Sequence, residues 1–291
     1  MRAIETLLTG IIDYAGLFPP ASLDMETAVR NYRAYLRGEY AWMLGNFVLP
    51  ASKLREFSEA FERVCCDEQE PPWTLSVVCT QVDPRDDVKV IDEFQEGAAL
   101  LSAFEAKAIH DAGAWNVLAL LGGERARYIE FPPEEADRVL PILRQYGARA
   151  KLRTGGIKAE TIPPAETIIR FIRACDKARV PLKFTAGLHH AVRGVRKLIY
   201  ALSSPTATMH GFLNVFVAAG LARTGAVEET LMKILAEEDP AAFQCEEDSI
   251  AWRNERLSVE QIGGLRAHLA TGFGSCSFTE PIDDLKAMGW L

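Results

Sequence analysis

From about residue 40 onward, short apolar or β-branched runs alternate with amphipathic helical stretches, and this alternation limits the chain more than any other feature. The runs are "AWMLGNFVL" (41–49), "WTLSVVCT" (73–80), "LLSAFEAKA" (100–108), "RYIEF" (127–131), "ARAKLRT" (148–154), "PLKFTAG" (181–187) and "GFGSCSF" (272–278), with "TGIIDYAGLF" (9–18) a candidate eighth. Strand and helix in strict turn imply parallel strands joined by right-handed crossovers. Seven or eight such units in 291 residues point to an α/β fold of the TIM-barrel type, a (β/α)8 barrel spanning 1–291 as one domain. A doubly wound open sheet ranks second, because no GxGxxG or GxxxxGK[ST] turn follows an early strand. With 48% hydrophobic residues the chain can fill one sizeable core.

The helices between these runs announce their starts. Asp83-Pro84 offers a cap and a proline, and Pro132-Pro133-Glu134-Glu135 and Pro163-Pro164-Ala165-Glu166 place acidic residues in a first turn. Ser258 with Gln261 makes a capping box. In "AETIIRFIRACDKA" the residues Ile168, Ile169, Phe171, Ile172 and Cys175 recur at helical spacing, as on a helix covering a sheet. The segment 189–270 departs from the pattern and is expected to be a helical excursion. It reads as helix ("HHAVRGVRKLIYALS"), apolar helix ("HGFLNVFVAAGLA"), amphipathic helix ("AVEETLMKILAEE"), an acidic connection and a last helix. Either helices inserted before the last strand or the loss of one strand would explain it.

A net charge of −8 argues against a nucleic-acid partner, which calls for a clustered basic surface. The longest uncharged run, 198–222, is interrupted by polar residues, and its apolar part is too short for a bilayer of ~30 Å, so no membrane partner is expected. Six cysteines without a CxxC pair suit a reducing compartment, and "MRAIETLLTGIIDYAG" lacks a signal-peptide cleavage site, so a cytoplasmic location is expected. A homo-oligomer is compatible with all of this.

Chemistry concentrates in two stretches, "KLRTGG" (151–156) and "KFTAGLHH" (183–190). Strand side chains alternate, so Lys151 and Arg153 share one face, and Lys183 and Thr185 share one face of the neighbouring strand. If both faces point inward, cations converge at the barrel mouth, where active sites of this fold gather. An unpaired buried cation costs several kcal/mol, on the order of the penalty found in real proteins, so an anion must answer it. Glu105 in "SAFEAKA" and Glu130 in "YIEFP" are the internal candidates, and a small acidic substrate is the external one. The same charges could also pack the barrel end without chemistry. A lysine attacks a carbonyl only as the free amine, and its reference pKa near ~10.4 must fall for that. Mutual depression among Lys151, Lys183 and Arg153 would supply the fall, with Lys183 in the less polar immediate neighbourhood.

The segments "KLRTGGI" and "KFTAGL", a lysine on each of two successive strands with glycine closing each, resemble the paired lysine strands of class I aldolases of the deoxyribose-phosphate aldolase type. The resemblance spans about forty residues. It implies that one lysine forms a Schiff base, that the other lowers its pKa, and that the glycine-rich turns hold a phosphate. Arg153 and the "LHH" ending depart from the family pattern. As a whole the chain is also similar to bacterial (β/α)8-like proteins without an assigned activity.

The remaining candidates are sparse. His189 and His190 close a strand, and His210 is expected to open a helix, four residues before Asn214 and on one face with it. His189, His190 and His210 with Glu105 would suit a divalent metal, although no HxH or HExxH spacing occurs, and the same histidines would serve as acid or base. His110 and His268 read as ordinary surface positions. Thr206 or Thr208 is a candidate helix cap beside His210, and Gly155-Gly156 a candidate amide cradle or a plain turn. Asp13 is a turn cap or an acid/base, and Ser275, Cys276, Ser277 and Glu280 end the last strand, with Cys276 expected as a small buried residue.

The expectation is therefore an enzyme of lyase or aldolase type acting on a small acidic carbonyl metabolite, with no cofactor favoured. Lys183 and Lys151 would be the imine-forming or enolate-stabilising cations, and Glu130 and His190 would move protons. Arg153, Thr154, Gly155, Gly156, Thr185, His210 and Asn214 would hold the substrate. A metal-dependent lyase or hydrolase and a non-catalytic small-molecule-binding barrel are the alternatives.

Overall fold

The computed structural model describes residues 2–65, 71–80, 84–97, 99–122, 125–201 and 203–291. Asp83, cited above, and one of the six cysteines, Cys66, lie outside the described residues. The strands are β1 (Ile12–Tyr14), β2 (Leu44–Pro50), β3 (Trp73–Val78), β4 (Ala99–Lys107), β5 (Ala126–Glu130), β6 (Arg149–Arg153), β7 (Leu182–Thr185), β8 (Gly194–Lys197), β9 (Thr206–Met209), β10 (Phe243–Cys245), β11 (Ser249–Trp252), β12 (Glu255–Ser258) and β13 (Ala270–Ser275). The helices are α1 (Ala3–Leu8), α2 (Met25–Leu36), α3 (Leu54–Val64), α4 (Arg85–Glu93), α5 (Asp111–Leu120), α6 (Ala136–Gln145), α7 (Ala165–Ala178), α8 (Phe212–Arg223), α9 (Glu228–Ala236), α10 (Val259–His268) and α11 (Thr279–Ala287). The strands β1 to β7 and β13 close into a parallel barrel in the order β1-β13-β7-β6-β5-β4-β3-β2, a (β/α)8 arrangement with helices in the crossovers. Each of the eight candidate strand segments contributes one barrel strand, so no strand is lost.

The barrel's outer face supplies the apolar core. Phe184 on β7 meets Phe216 of α8 at 5.6 Å between ring centroids, and Phe273 on β13 stacks on Phe212 at 5.2 Å. Helix α7 carries the expected stripe, with Ile168, Ile169, Phe171, Ile172 and Cys175 all buried. Helix α8 is buried on every side from Phe212 to Leu221, because the barrel covers one flank and α9, β11 and β12 cover the other. Ser258 and Gln261 form the capping box of α10, the Ser258 amide donating to Gln261 Oε1 at 2.8 Å. Among the described residues no helix is long and apolar enough to cross a membrane.

The crossover from β7 to β13 differs from the helical excursion expected of it. The segment "HHAVRGVRKLIYALS" is not a helix; Gly194–Lys197 pairs antiparallel with Thr206–Met209 as a two-stranded ribbon. Its apolar residues fit a helical period, but Ala191, Val192 and Leu198 are buried while Val195 is 64% exposed, and pairing with 206–209 takes the place of helical hydrogen bonds. Thr206 and Thr208 therefore sit in β9 and cap nothing. Gly211 occupies the N-cap of α8 without a side-chain bond, and the amides of Phe212 and Leu213 donate instead to the carbonyls of His190 and Ala191. The acidic connection also folds, as the antiparallel sheet β10-β11-β12.

Two glycines lock the barrel mouth. The turns after β6 and β7 approach so closely that a Cβ on Gly187 would stand 2.8 Å from the Gly155 Cα, and Gly187 has φ +83°. Gly187→Ala is expected to cost about 1–3 kcal/mol from the backbone conformation alone. Gly155→Ala, with no such φ, isolates the contact. Urea midpoints of the two variants measure both effects.

Candidate functional site

Alternation along the barrel strands turns a set of polar side chains inward at one level. Register places Lys151 beside Lys183 and Glu130 beside Lys151 on β5, β6 and β7. From across the barrel Asp13 on β1, Ser76 on β3 and Glu105 on β4 complete the layer. A barrel of this type usually fills such a layer with Val, Ile and Leu. Here Lys183 is 2% exposed, Glu105 1% and Ser76 0%, so the charges must satisfy one another.

They do so in a chain of alternating sign. Lys183 Nζ donates to Glu105 Oε1 and stands 2.5 Å from Asp13 Oδ2. Lys151 Nζ lies 2.7 Å from Glu105 Oε2 and 3.4 Å from Glu130 Oε2. At the rim Arg153 Nε donates to Glu130 Oε1 at 3.2 Å, and Lys107 Nζ is 3.6 Å from the same oxygen. Further bonds fix the carboxylates. Ser76 Oγ donates to Glu105 Oε1 at 2.7 Å, and the Asn46 amide and side chain donate to Asp13 Oδ1 at 2.6 and 3.0 Å. Ser102 Oγ in turn donates to Asn46 Oδ1 at 2.5 Å. The Tyr128 ring lies under Lys183, 5.4 Å from Nζ.

The electrostatics overturn the expected depression at Lys183. Burial pushes the Lys183 ammonium toward neutrality, but Asp13 and Glu105 more than offset this and raise its pKa above the ordinary lysine range. Burial likewise opposes ionisation of Glu105, and Lys151 and Lys183 overcome it, holding the carboxyl well below the usual range. Glu130 is buried too, yet Lys151, Arg153 and Lys107 keep its pKa below the ordinary value. Each ammonium is closer to a carboxylate than any other cation is to it, so attraction wins over like-charge repulsion. Lys183 is a permanent cation in this arrangement. One atom is left over: Glu130 Oε2 is buried and accepts no hydrogen bond.

Several candidates are engaged elsewhere. Asn214 is fully buried and structural: its Nδ2 donates to the carbonyls of Ile234 and Glu237, and its Oδ1 accepts from the Arg193 amide. His210 precedes α8 rather than opening it, and its Nε2 meets the Pro163 carbonyl at 2.8 Å. His190 Nδ1 sits 3.1 Å from Asp284 Oδ2. With Glu105 held by both lysines, the four groups His189, His190, His210 and Glu105 do not converge. Among the described residues no three His, Cys, Asp or Glu side chains are gathered as a metal site. Thr154 Oγ1 donates to the Ala186 carbonyl at 2.6 Å, which ties the β6 turn to the β7 turn. Gly155 serves the close approach described above, and Thr185 takes part through its carbonyl, which accepts from the Thr154 amide.

Above the charged layer a cleft opens at the barrel mouth, lined by Gly156, Gly187, His189, Tyr200, Met209 and Glu280 among others. Cys276 is buried beside it, 3.6 Å from Tyr200 Oη and 3.7 Å from His189 Nδ1, and burial pushes its thiol up to about 11, so it is no nucleophile.

No protein-family model matches the chain, and no curated protein matches it. Among solved structures, a tetrameric deoxyribose phosphate aldolase from Aeropyrum pernix is similar over 65% of this chain and 85% of its own, with 13% identity and a TM-score of 0.46.

Ser76, Asn46, Ser102 and Tyr128 belong to this arrangement without having been singled out in the sequence, and Asp13, expected as a turn cap or an acid/base, is an ion-pair partner of Lys183. Ser76 interrupts an otherwise apolar strand, "WTLSVV", and Asp13 does the same in "IIDYA". A polar residue alone on the inner face of a barrel strand was the available signal.

Proposed function

We propose that the chain is an aldolase-like lyase that forms an imine between Lys151 and the carbonyl of a small acidic metabolite. The observation that carries this reading is the pair Lys151 and Lys183, inward and in register on adjacent strands and sharing the Glu105 carboxylate. Lys183, held cationic by Asp13 and Glu105, keeps positive charge beside the reacting carbon. Lys151 is the nucleophile because it keeps the residual opening, with 8% of its side chain exposed against 2% for Lys183.

In this reading Lys151 passes a proton to Glu130 Oε2, 3.4 Å away, an uphill transfer because Lys151, Arg153 and Lys107 favour the carboxylate, and addition of the freed amine to the carbonyl draws it forward. The free amine then adds to the carbonyl carbon, the carbonyl oxygen takes up a proton, and loss of water leaves the protonated imine. Cleavage of the neighbouring carbon–carbon bond sends its electron pair into the imine, while the hydroxyl proton of the departing fragment goes to Glu130, a carboxylate again once its proton has left with the water; the enamine carbon then takes up that proton, and water hydrolyses the imine to release the second product and free Lys151. Arg153, 42% exposed at the rim, meets the substrate carboxylate.

Borohydride trapping with a panel of aldehydes and 2-oxo acids tests the proposal. A reduced adduct on Lys151, located by peptide mass spectrometry, is the expected outcome. No lysine adduct across the panel would leave a barrel packed with charge and without imine chemistry.

A further inference from the structure

We propose that the cleft over the ends of β6, β7 and β13 is a subsite for a hydroxyl group of the substrate, recognised by the imidazole of His189 and the Glu280–Tyr200 pair beside it; this rests on the reading that the substrate carbonyl meets Lys151. The position follows from the chain. Gly156 lies just past β6, Gly187 and His189 just past β7, and Glu280 just past β13, so the cleft stands directly over the strands that carry the lysines. The ribbon β8–β9 supplies the opposite wall through Tyr200 and Met209.

His189 is 8% exposed, and its contacts converge on one ring nitrogen. Nδ1 lies 3.1 Å from Ser275 Oγ, 3.7 Å from Cys276 Sγ and 3.7 Å from Glu280 Oε2. Ser275 Oγ also accepts from the Ser277 amide at 3.2 Å, which fixes the hydroxyl against the ring. Among the described residues Nε2 has no hydrogen-bond partner, and His189 lines the cleft. Tyr200 Oη donates to Glu280 Oε2 at 3.0 Å and holds that carboxylate beside the ring, where both residues line the cleft.

The groups around the imidazole are Glu280, Cys276, His190, Tyr200 and the cleft-lining Lys197. Burial, with His190 adding to it, pushes His189 down to about 4, so the ring is neutral at physiological pH. A neutral ring beside a carboxylate offers an anion little, whereas a hydroxyl both donates and accepts and so suits either tautomer. A site that hydrogen-bonds a substrate hydroxyl rejects the analogue lacking it, because its buried polar atoms are then left unpaired.

Hydroxypyruvate and pyruvate, which differ by that one hydroxyl, are the probes on the full chain. With 15N-labelled histidine, hydroxypyruvate is expected to shift the His189 ring resonances in both the wild type and Lys151→Met, at concentrations where pyruvate does not. Borohydride trapping is expected to favour hydroxypyruvate by about 10- to 100-fold, a preference that His189→Phe abolishes. A His189 shift without any lysine adduct would sink the imine chemistry and keep the subsite. Equal trapping of the two acids with a silent His189 would sink the subsite and keep the lysine. The wild-type resonances decide the matter even if His189→Phe misfolds.

Discussion

Glu105→Gln is expected to lower the free energy of unfolding by about 3–5 kcal/mol, the usual cost of breaking a buried ion pair from one side. The glutamine keeps the shape and a partner for Ser76, but it removes the one carboxylate shared by two buried ammonium groups. Asp13 then faces Lys183 and Glu130 faces Lys151 with no bridge between them. The pH dependence makes the prediction specific. The folded carboxyl titrates well below its unfolded value of ~4.3, so its stabilisation is fully present above that pH and is lost as pH falls below it. Lys183 has the opposite sign. Its folded pKa lies above the unfolded ~10.4, so its contribution is complete below that pH and fades as pH rises past it. Urea denaturation from pH 3 to pH 11 should therefore show Glu105→Gln losing part of both limbs. A variant with wild-type stability at pH 7 would mean that the shared carboxylate holds nothing together.

Lys151→Met is expected to reduce imine trapping to background while the fold survives. Methionine is close to lysine in length, and without the ammonium Glu105 still has Lys183 and Ser76, and Glu130 still has Arg153 and Lys107. Lysine nucleophiles have no substitute in the site, since Lys183 remains pinned between two carboxylates. Turnover, where a substrate is found, should fall by about 10³-fold or more, as for other covalent nucleophiles removed from an active site. Peptide mass spectrometry of the borohydride-treated variant is the check. An adduct that moves to Lys183 would exchange the two roles, and an unchanged adduct elsewhere would remove Lys151 from the chemistry.

Barrel strands were legible because each is a short apolar run between helix caps, a local property of the chain. The convergence of Lys151, Lys183, Glu105 and Glu130 was legible for a related reason. Strand alternation and a one-unit spacing put two lysines on one inner face, and burial then demanded acidic partners. The ribbon at 194–209 was not legible, because "HHAVRGVRKLIYALS" satisfies a helical period and the strand that pairs with it, 206–209, lies outside that stretch. His210 and Asn214 looked like site residues by spacing alone, and their partners, the Pro163 carbonyl and the end of α9, come from far along the chain.

What the chain determines locally, then, is the succession of strands and helices and the face each polar residue occupies, because both follow from side-chain periodicity along a single segment. Only barrel closure decided the protonation pattern. A lysine beside a lysine on neighbouring strands suggests repulsion, but the closed barrel brings Asp13 from β1 and Glu105 from β4, neither of them a neighbour of β7, to within ion-pair distance of Lys183. At that separation, out of water, the nearest opposite charge dominates the field, and no pattern within one strand records which charge that will be.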